Sequence, residues 1–298
     1  MTPPHYQMYI DGAWVDSSTT IDVTNPASDA LVATVAHGDA DDADRAVAAA
    51  LRAHRDGEWR NTPPEERAKI MTRWVEILNE RMDEFVDLHV AENGVTRRQA
   101  MAFHVGYAIS HLQYFADLAA TYEFSRSGPM LGYPTVAAGL VRREPFGVVA
   151  GIVPWNFPML LAVWKFGPAL AAGNTIVLKP DEKTPLTLLE MARAAHDAGV
   201  PAGVFNVVTG PGEVVGARLA AHPDVRKVAF TGSTAVGRII TDLRPSILDH
   251  QGLWAALEWL AHELLPAAAR ELAAACDFDR TVISRRRGET WRAEAVWA

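Results

Sequence analysis

The 298-residue chain has one cysteine, no uninterrupted long apolar run and no long block of basic residues. A single cysteine, Cys276, excludes an internal disulfide and a cysteine-based zinc site. The most apolar stretch, from Phe146 to Leu178, is broken by Pro154, Asn156, Pro158 and Lys165. A membrane-spanning helix needs ~20 continuous apolar residues, so this stretch reads as a buried strand, a turn and a buried helix. Lysine and arginine number 28 against 36 acidic residues, a net charge of −8. The electrostatic footprint of phosphate-backbone binding is missing, and neither nucleic acid nor a membrane is an expected partner. Met1-Thr-Pro-Pro-His-Tyr has neither a cationic leader nor an apolar core, which predicts a cytoplasmic protein. No His-Glu-x-x-His or Gly-x-Ser-x-Gly pattern occurs, and His250 and His262 are too far apart to share a helical turn, so no metal site is expected.

Hydrophobic residues make up 49% and charged residues 21% of the chain, the balance of a folded globular protein. At ~100–200 residues per domain, two domains are expected. The opening YQMYIDGAWVDSSTTIDVTNP alternates apolar and polar residues around Asp11-Gly12, a hairpin signal. Helices follow: one over Ala46–Ala53 behind the acidic Asp39–Asp44, one from Pro63-Pro64 carrying Ile70, Trp74, Ile77 and Leu78 on one face, and one over Thr96–Phe124.

From Val136 short apolar runs alternate with helical stretches. Val148–Val153, Thr175–Leu178, Val204–Val208 and Lys227–Phe230 read as strands. Pro158–Ala172, Thr184–Gly199 and Gly212–His222 read as helices, and Ser233–Thr241 opens another. This rhythm predicts an α/β fold with a doubly wound parallel sheet, whose ligands bind outside the carboxyl ends of the strands.

Four features fall at those ends. Asn156, in Pro154-Trp155-Asn156-Phe157-Pro158, reads either as the N-cap of the next helix or as an amide donor to a carbonyl oxygen gaining charge. Lys179 and Glu182 read either as a solvated cluster or as a pair that hydrogen-bonds a nucleotide ribose, the acidic group repelling a 2′-phosphate. Gly212 and Gly216 open a glycine-rich strand-to-helix turn. Phe230-Thr231-Gly232-Ser233-Thr234-Ala235-Val236-Gly237 forms another, with Ser233 or Thr234 either an ordinary cap or part of a pyrophosphate cradle.

Taken together, VVAGIVPWNFP, ALAAGNTIVLKPDEKTP, AGVPAGVFNVVTG and KVAFTGSTAVGR resemble the aldehyde dehydrogenase superfamily from about Tyr6 to Thr241. The resemblance implies a Rossmann-like NAD-binding domain with part of an oligomerisation region. It implies Asn156 as the oxyanion donor, Lys179 and Glu182 at the adenosine ribose, Ser233 at the pyrophosphate and Trp155 along the cleft. Ile152, Val153, Pro154, Gly212, Gly216, Phe230, Thr231, Gly232 and Val236 complete the implied cofactor contacts. The cofactor is expected to be NAD rather than NADP, and the substrate a small aldehyde oxidised to a carboxylic acid.

The family pattern then breaks off. Its members carry Glu-Leu-Gly-Gly, whose glutamate is the general base, and Gly-Gln-x-Cys, whose cysteine attacks the aldehyde. Neither motif is in this sequence. Cys276 lies beside Asp277 and Asp279 at the end of an apolar helix, surroundings that raise a thiol pKa, and it reads as structural. Glu258, Glu263 and Glu271 read as solvated helix residues. The expectation is therefore a truncated and inactive dehydrogenase. The alternative is a non-catalytic nucleotide-binding or interaction protein, and a remnant without function is a third reading.

A boundary is expected near residue 243, giving a dehydrogenase-like region over 1–243 and an unrelated or frame-altered tail over 244–298. The tail has no lysine but four of the nine tryptophans. Gly252–Cys276 places Leu253, Leu257, Leu260, Leu264, Ala268 and Leu272 on one helical face, and a hairpin is expected to turn near Arg287-Gly288-Glu289, with Arg285-Arg286-Arg287 on a solvated turn. ELAAACDFDR and the strand after it are similar to the start of a GAF-type ligand-sensing domain. A sheet edge left unpaired at the boundary predicts marginal stability, self-association or a homo-oligomer.

Overall fold

The hairpin expected at Asp11-Gly12 joins strands β2 (Met8–Ile10) and β3 (Ala13–Val15), after a short β1 (His5–Tyr6). Both turn residues have positive φ, 56° at Asp11 and 78° at Gly12, which matches the right-handed strand twist. The computed structural model describes residues 3–131, 137–232, 237, 240, 281–287 and 290–297. The chain divides into two compact units, Met1–Leu243 and Arg244–Ala298.

In the first unit, β4 (Thr20–Thr24) and β5 (Leu31–Ala36) form a small sheet with β1. Helix α1 (Ala40–Arg55) starts from a capping box in which the Asp39 side chain accepts from Asp41 and Asp42 N–H. Helix α2 (Pro64–Glu80) follows, with proline at its first position. Helix α3 (Met82–Asn93) had no signal in the periodicity; it ends on Gly94 in the left-handed conformation. The helix expected over 96–124 is one run in three parts: α4 (Arg97–Gln99), a π-helical turn (Ala100–Val105) and α5 (Gly106–Thr121). An unanticipated antiparallel pair, β6 (Ser125–Leu131) and β7 (Ala137–Arg142), comes next.

The core sheet is built as the α/β rhythm predicts. Strands β8 (Val148–Ile152), β9 (Thr175–Lys179) and β10 (Phe205–Val207) alternate with α6 (Pro158–Ala171) and α7 (Leu186–Asp197). A second π-helical turn (Gly212–Gly216), α8 (Ala217–Ala221) and β11 (Val225–Phe230) complete the series. The strand order is β11-β8-β9-β10-β2-β3; the first four are parallel and β2 and β3 add antiparallel.

Both sheet faces are covered. Val149, Ile176 and Leu178 point into a core with Trp74, Phe166 and Phe205, whereas Val148, Ala150 and Val177 point into a second core with Ala46, Val47 and Ala50 of α1. That alternation along single strands is the signature of a sheet buried on two sides. Trp74 stacks on Phe166 at 4.8 Å and meets Phe205 edge-on at 5.1 Å. Among the described residues no helix is long and apolar enough to cross a membrane.

In the second unit, β12 (Thr281–Arg287) and β13 (Thr290–Trp297) pair antiparallel, with Arg287 opposite Thr290. The expected helix over 252–276, with Cys276, Glu258, Glu263 and Glu271, lies outside the described residues.

Candidate functional site

Chain order along the core sheet reverses at β8. From it the chain moves through β9 and β10 on one side, then returns to place β11 on the other. Helices connecting to the two sides leave opposite faces of the sheet, so a crevice opens where they part, at the carboxyl ends of β8 and β11. The register aligns Phe230, Ile152 and Lys179 in one row across the sheet. Two further bonds tie the ends together, from Thr231 N–H to Ile152 O at 3.2 Å and from Val153 N–H to Lys179 O at 3.0 Å.

Lys179, 3% exposed, donates from Nζ to Glu182 Oε1 at 2.8 Å. Glu182 keeps about a third of its side chain in solvent. A buried ammonium with one partner among the described residues thus stands where the sheet meets solvent. The glycines beside it leave space. A Cβ placed on Gly212 would stand 3.9 Å from Lys179 Nζ, and one on Gly216 would stand 3.9 Å from Ile152 Cδ1, with nothing nearer. Packing does not demand glycine at either position; side chains there would fill the room next to Lys179 and Ile152. Gly210, before this turn, has φ 135° and lies so close to Gly38 O that a Cβ would fall 2.4 Å from it.

Asn156 is exposed in the loop between β8 and α6, and its carboxamide makes no hydrogen bond among the described residues. The capping alternative is corrected here. Phe157, one residue later, holds the N-cap position, and among the described residues no side chain caps α6; Pro158 stands at the first helical position, where a missing N–H costs no helical bond. The loop is fixed from below instead. Asn93 Nδ2 donates to Trp155 O at 2.7 Å. The His104 ring, projecting from the first π-helical turn, stacks on Phe157 at 4.1 Å and 10°, and its Nδ1 pairs with Nε2 of buried His89 at 2.9 Å. Trp155 is 53% exposed with Lys183 Nζ 5.7 Å from its ring centre.

Four side chains beneath the crevice had no role in the site as read from the sequence. Lys165 of α6 is 7% exposed and donates to Thr231 Oγ1 at 2.8 Å and Leu161 O at 3.2 Å; burial pushes its pKa down to about 8. Its signal was a lone charge in an otherwise apolar helix. Glu92, fully buried, accepts from Leu186 N–H at 2.7 Å, from Thr187 N–H at 3.1 Å and from the Thr187 hydroxyl, closing the start of α7. Burial pushes its pKa up to about 7 against the pull of those donors. Neither His89 nor His104 could be paired from sequence, because the two are on separate helical segments. Ile152, Val153, Pro154, Trp155, Lys179, Glu182, Gly212, Gly216, Phe230, Thr231 and Gly232 thus lie on the strand ends and turns around one crevice, while Ser233 and Val236 lie outside the described residues. No group of three potential metal ligands occurs among the described residues.

The aldehyde dehydrogenase family profile matches residues 14–248. The chain belongs to the aldehyde dehydrogenase family. It is 45% identical over 241 residues to phenylacetaldehyde dehydrogenase of Pseudomonas fluorescens, covering 80% of this chain and 48% of that one. Among solved structures, it superposes with a TM-score of 0.74 and 40% identity on an aldehyde dehydrogenase C mutant from Pseudomonas syringae bound to NAD+ and octanal. That match covers 82% of this chain and 48% of the other. The NAD+ complex of an aldehyde dehydrogenase from Bacillus cereus matches with a TM-score of 0.78 and 35% identity, over 83% of this chain and 50% of that one. The chain spans about half the length of these dehydrogenases.

Proposed function

We propose that the crevice at the carboxyl ends of β8 and β11 binds NAD, as the nucleotide-binding portion of a fold built for NAD-dependent oxidation of an aldehyde to a carboxylic acid. The observation that carries the reading is the Lys179–Glu182 pair beside the glycine-lined space at the chain-order reversal. Lys179 has N–H groups left to donate to a ribose hydroxyl, and Glu182 has a second oxygen to accept from one. The carboxylate disfavours a 2′-phosphate. Thr231 and Gly232 lead the chain past the end of β11 toward Ser233, which we assign to the pyrophosphate, and Trp155 walls the cleft. When bound, the dinucleotide supplies the hydride acceptor. We assign the exposed Asn156 carboxamide, unpartnered among the described residues, as donor to a carbonyl oxygen as charge builds on it; the Asn93 bond to Trp155 O holds the loop that carries it.

These 298 residues contain neither the Glu-Leu-Gly-Gly nor the Gly-Gln-x-Cys of the family pattern. We therefore assign them dinucleotide binding without aldehyde turnover: with no activated thiolate the covalent route cannot begin. Calorimetric titration with NAD, followed by an assay for NADH with an aldehyde, tests both parts. One NAD per chain with no aldehyde-dependent NADH is expected. Absence of NAD binding refutes the nucleotide assignment, and NADH formation that disappears in Cys276→Ser refutes the assignment of inactivity.

A further inference from the structure

We propose that a cleft between the start of α2, the segment linking α5 to β6 and the connection from β7 to β8 binds a small organic phosphate, separately from the crevice at β8 and β11. The cleft encloses about 350 Å³, within the ~300–1,000 Å³ of small-ligand pockets. Four guanidinium groups line it, those of Arg60, Arg67, Arg142 and Arg143, with Glu144 the one carboxylate. The chain as a whole carries −8. Charges of one sign on a concave wall add their fields, so this cleft attracts anions although the molecule repels them.

Arg67 is the anchor. It is 5% exposed, with Nε donating to Ala171 O at 3.2 Å and Nη1 to Thr62 O at 2.6 Å. The Phe124 ring centre lies 5.5 Å from Cζ, and the guanidinium packs on Gly173, where a Cβ would meet Nη1 at 3.4 Å. Two carbonyls and two packing faces therefore hold the guanidinium plane fixed. Among the described residues no carboxylate pairs with Arg67 and its Nη2 has no hydrogen-bond partner. Burial lowers its pKa, with Glu65 opposing at longer range. A buried charge without a counter-ion is costly, and a fixed guanidinium with an unused donor edge is suited to a bidentate oxyanion.

The other three arginines supply the remaining charge. Arg143 is held over the Tyr122 ring at 5.4 Å and donates to Glu123 O at 3.3 Å. Arg142 is exposed, its Nε 3.6 Å from Glu144. Arg60 forms no ion pair among the described residues and is free to close on a ligand. Four cations against one carboxylate suit a doubly charged phosphate better than a monocarboxylate, and Phe124 offers an apolar wall for the organic part.

Titration of the full chain with glycerol 3-phosphate and with inorganic phosphate, in saturating NAD and in its absence, tests the proposal. Saturable one-site binding of glycerol 3-phosphate is expected, unaffected by NAD and weakened by sodium chloride. The exposed-site variants Arg60→Gln and Arg142→Gln should each weaken it by about fivefold or more. Arg67→Lys, which keeps the charge and loses the planar fork, should weaken it further. No saturable binding, binding unchanged in Arg60→Gln and Arg142→Gln, or displacement by NAD would each overturn it. Because neither exposed arginine is buried in the core, these two variants keep the test decisive if Arg67→Lys fails to fold.

Discussion

Replacing Lys165 by methionine is expected to stabilise the protein at neutral pH and to abolish one component of its pH dependence. The lysine pKa falls from an ordinary 10.5 to about 8 on burial, so the folded state holds fewer protons than the unfolded state between those values. Stability from this group therefore rises with pH across that window, by at most about 1.4 kcal/mol per pH unit. Below about pH 8 the penalty is constant, with a ceiling of about 3 kcal/mol. Methionine removes the penalty but also two hydrogen bonds, to Thr231 Oγ1 and Leu161 O, each worth about 1 kcal/mol net. Methionine also suits the volume of the site.

The variant should thus be more stable by ~1–2 kcal/mol at pH 7, lose that advantage by about pH 9, and be the less stable protein at pH 10.5. Urea unfolding of both proteins at closely spaced pH values measures the difference, in which all other titrating groups cancel. A variant less stable at pH 7 by more than ~1 kcal/mol, or a difference flat from pH 7 to 10.5, would refute the reasoning. If methionine is tolerated and NAD affinity falls, the lysine is retained for what it does at Thr231.

Glu92→Ala leaves two backbone N–H groups and one hydroxyl without a partner at the start of α7, a loss of ~3–5 kcal/mol in urea unfolding; Glu92→Gln, which keeps one acceptor, should lose less. Since burial raises the Glu92 pKa from 4.5 to about 7, its own contribution to stability should decrease as pH rises through that window, and the wild-type minus Gln difference should show it. Glu182→Gln should narrow the preference for NAD over NADP by about tenfold in paired titrations, and an unchanged ratio would remove Glu182 from the ribose. The His89 pKa is held down to about 3 by burial, with His104 adding repulsion, so protons taken up by the unfolded chain should destabilise the fold as pH falls from about 6.5 toward 3. His89→Leu should flatten that acid limb, and an unshifted acid midpoint would count against the assignment.

The parts of the fold that were legible share one physical property: their pattern is local. Alternating apolar runs at β8 and β9, proline at the starts of α2 and α6, and Asp11-Gly12 each specify structure within a few residues. Helix α3 escaped because its apolar residues do not concentrate on one stripe: Phe85, Val86, His89 and Glu92 are all buried, two of them polar. The pair β6 and β7 escaped for the opposite reason, being exposed on both sides, with Met130 75% and Leu140 71% accessible. At the candidate site, the residues on strand ends and glycine turns were readable because backbone geometry marks them. Lys165, Glu92 and the His89–His104 pair were not, because each acts on a partner distant in sequence, from 15 residues for the histidines to 95 for Glu92 and Thr187.

The π-helical turn at Ala100–Val105 amounts to one extra amino acid wound into an otherwise regular spiral. Excising a single residue there would let ordinary winding resume, and everything on one side of the cut would swivel by roughly 100° relative to the other. His104 would then leave Phe157 without its companion ring, and the loop bearing Asn156 would lose its footing. The bulge is the means by which a supporting helix and the loop after β8 are kept in phase.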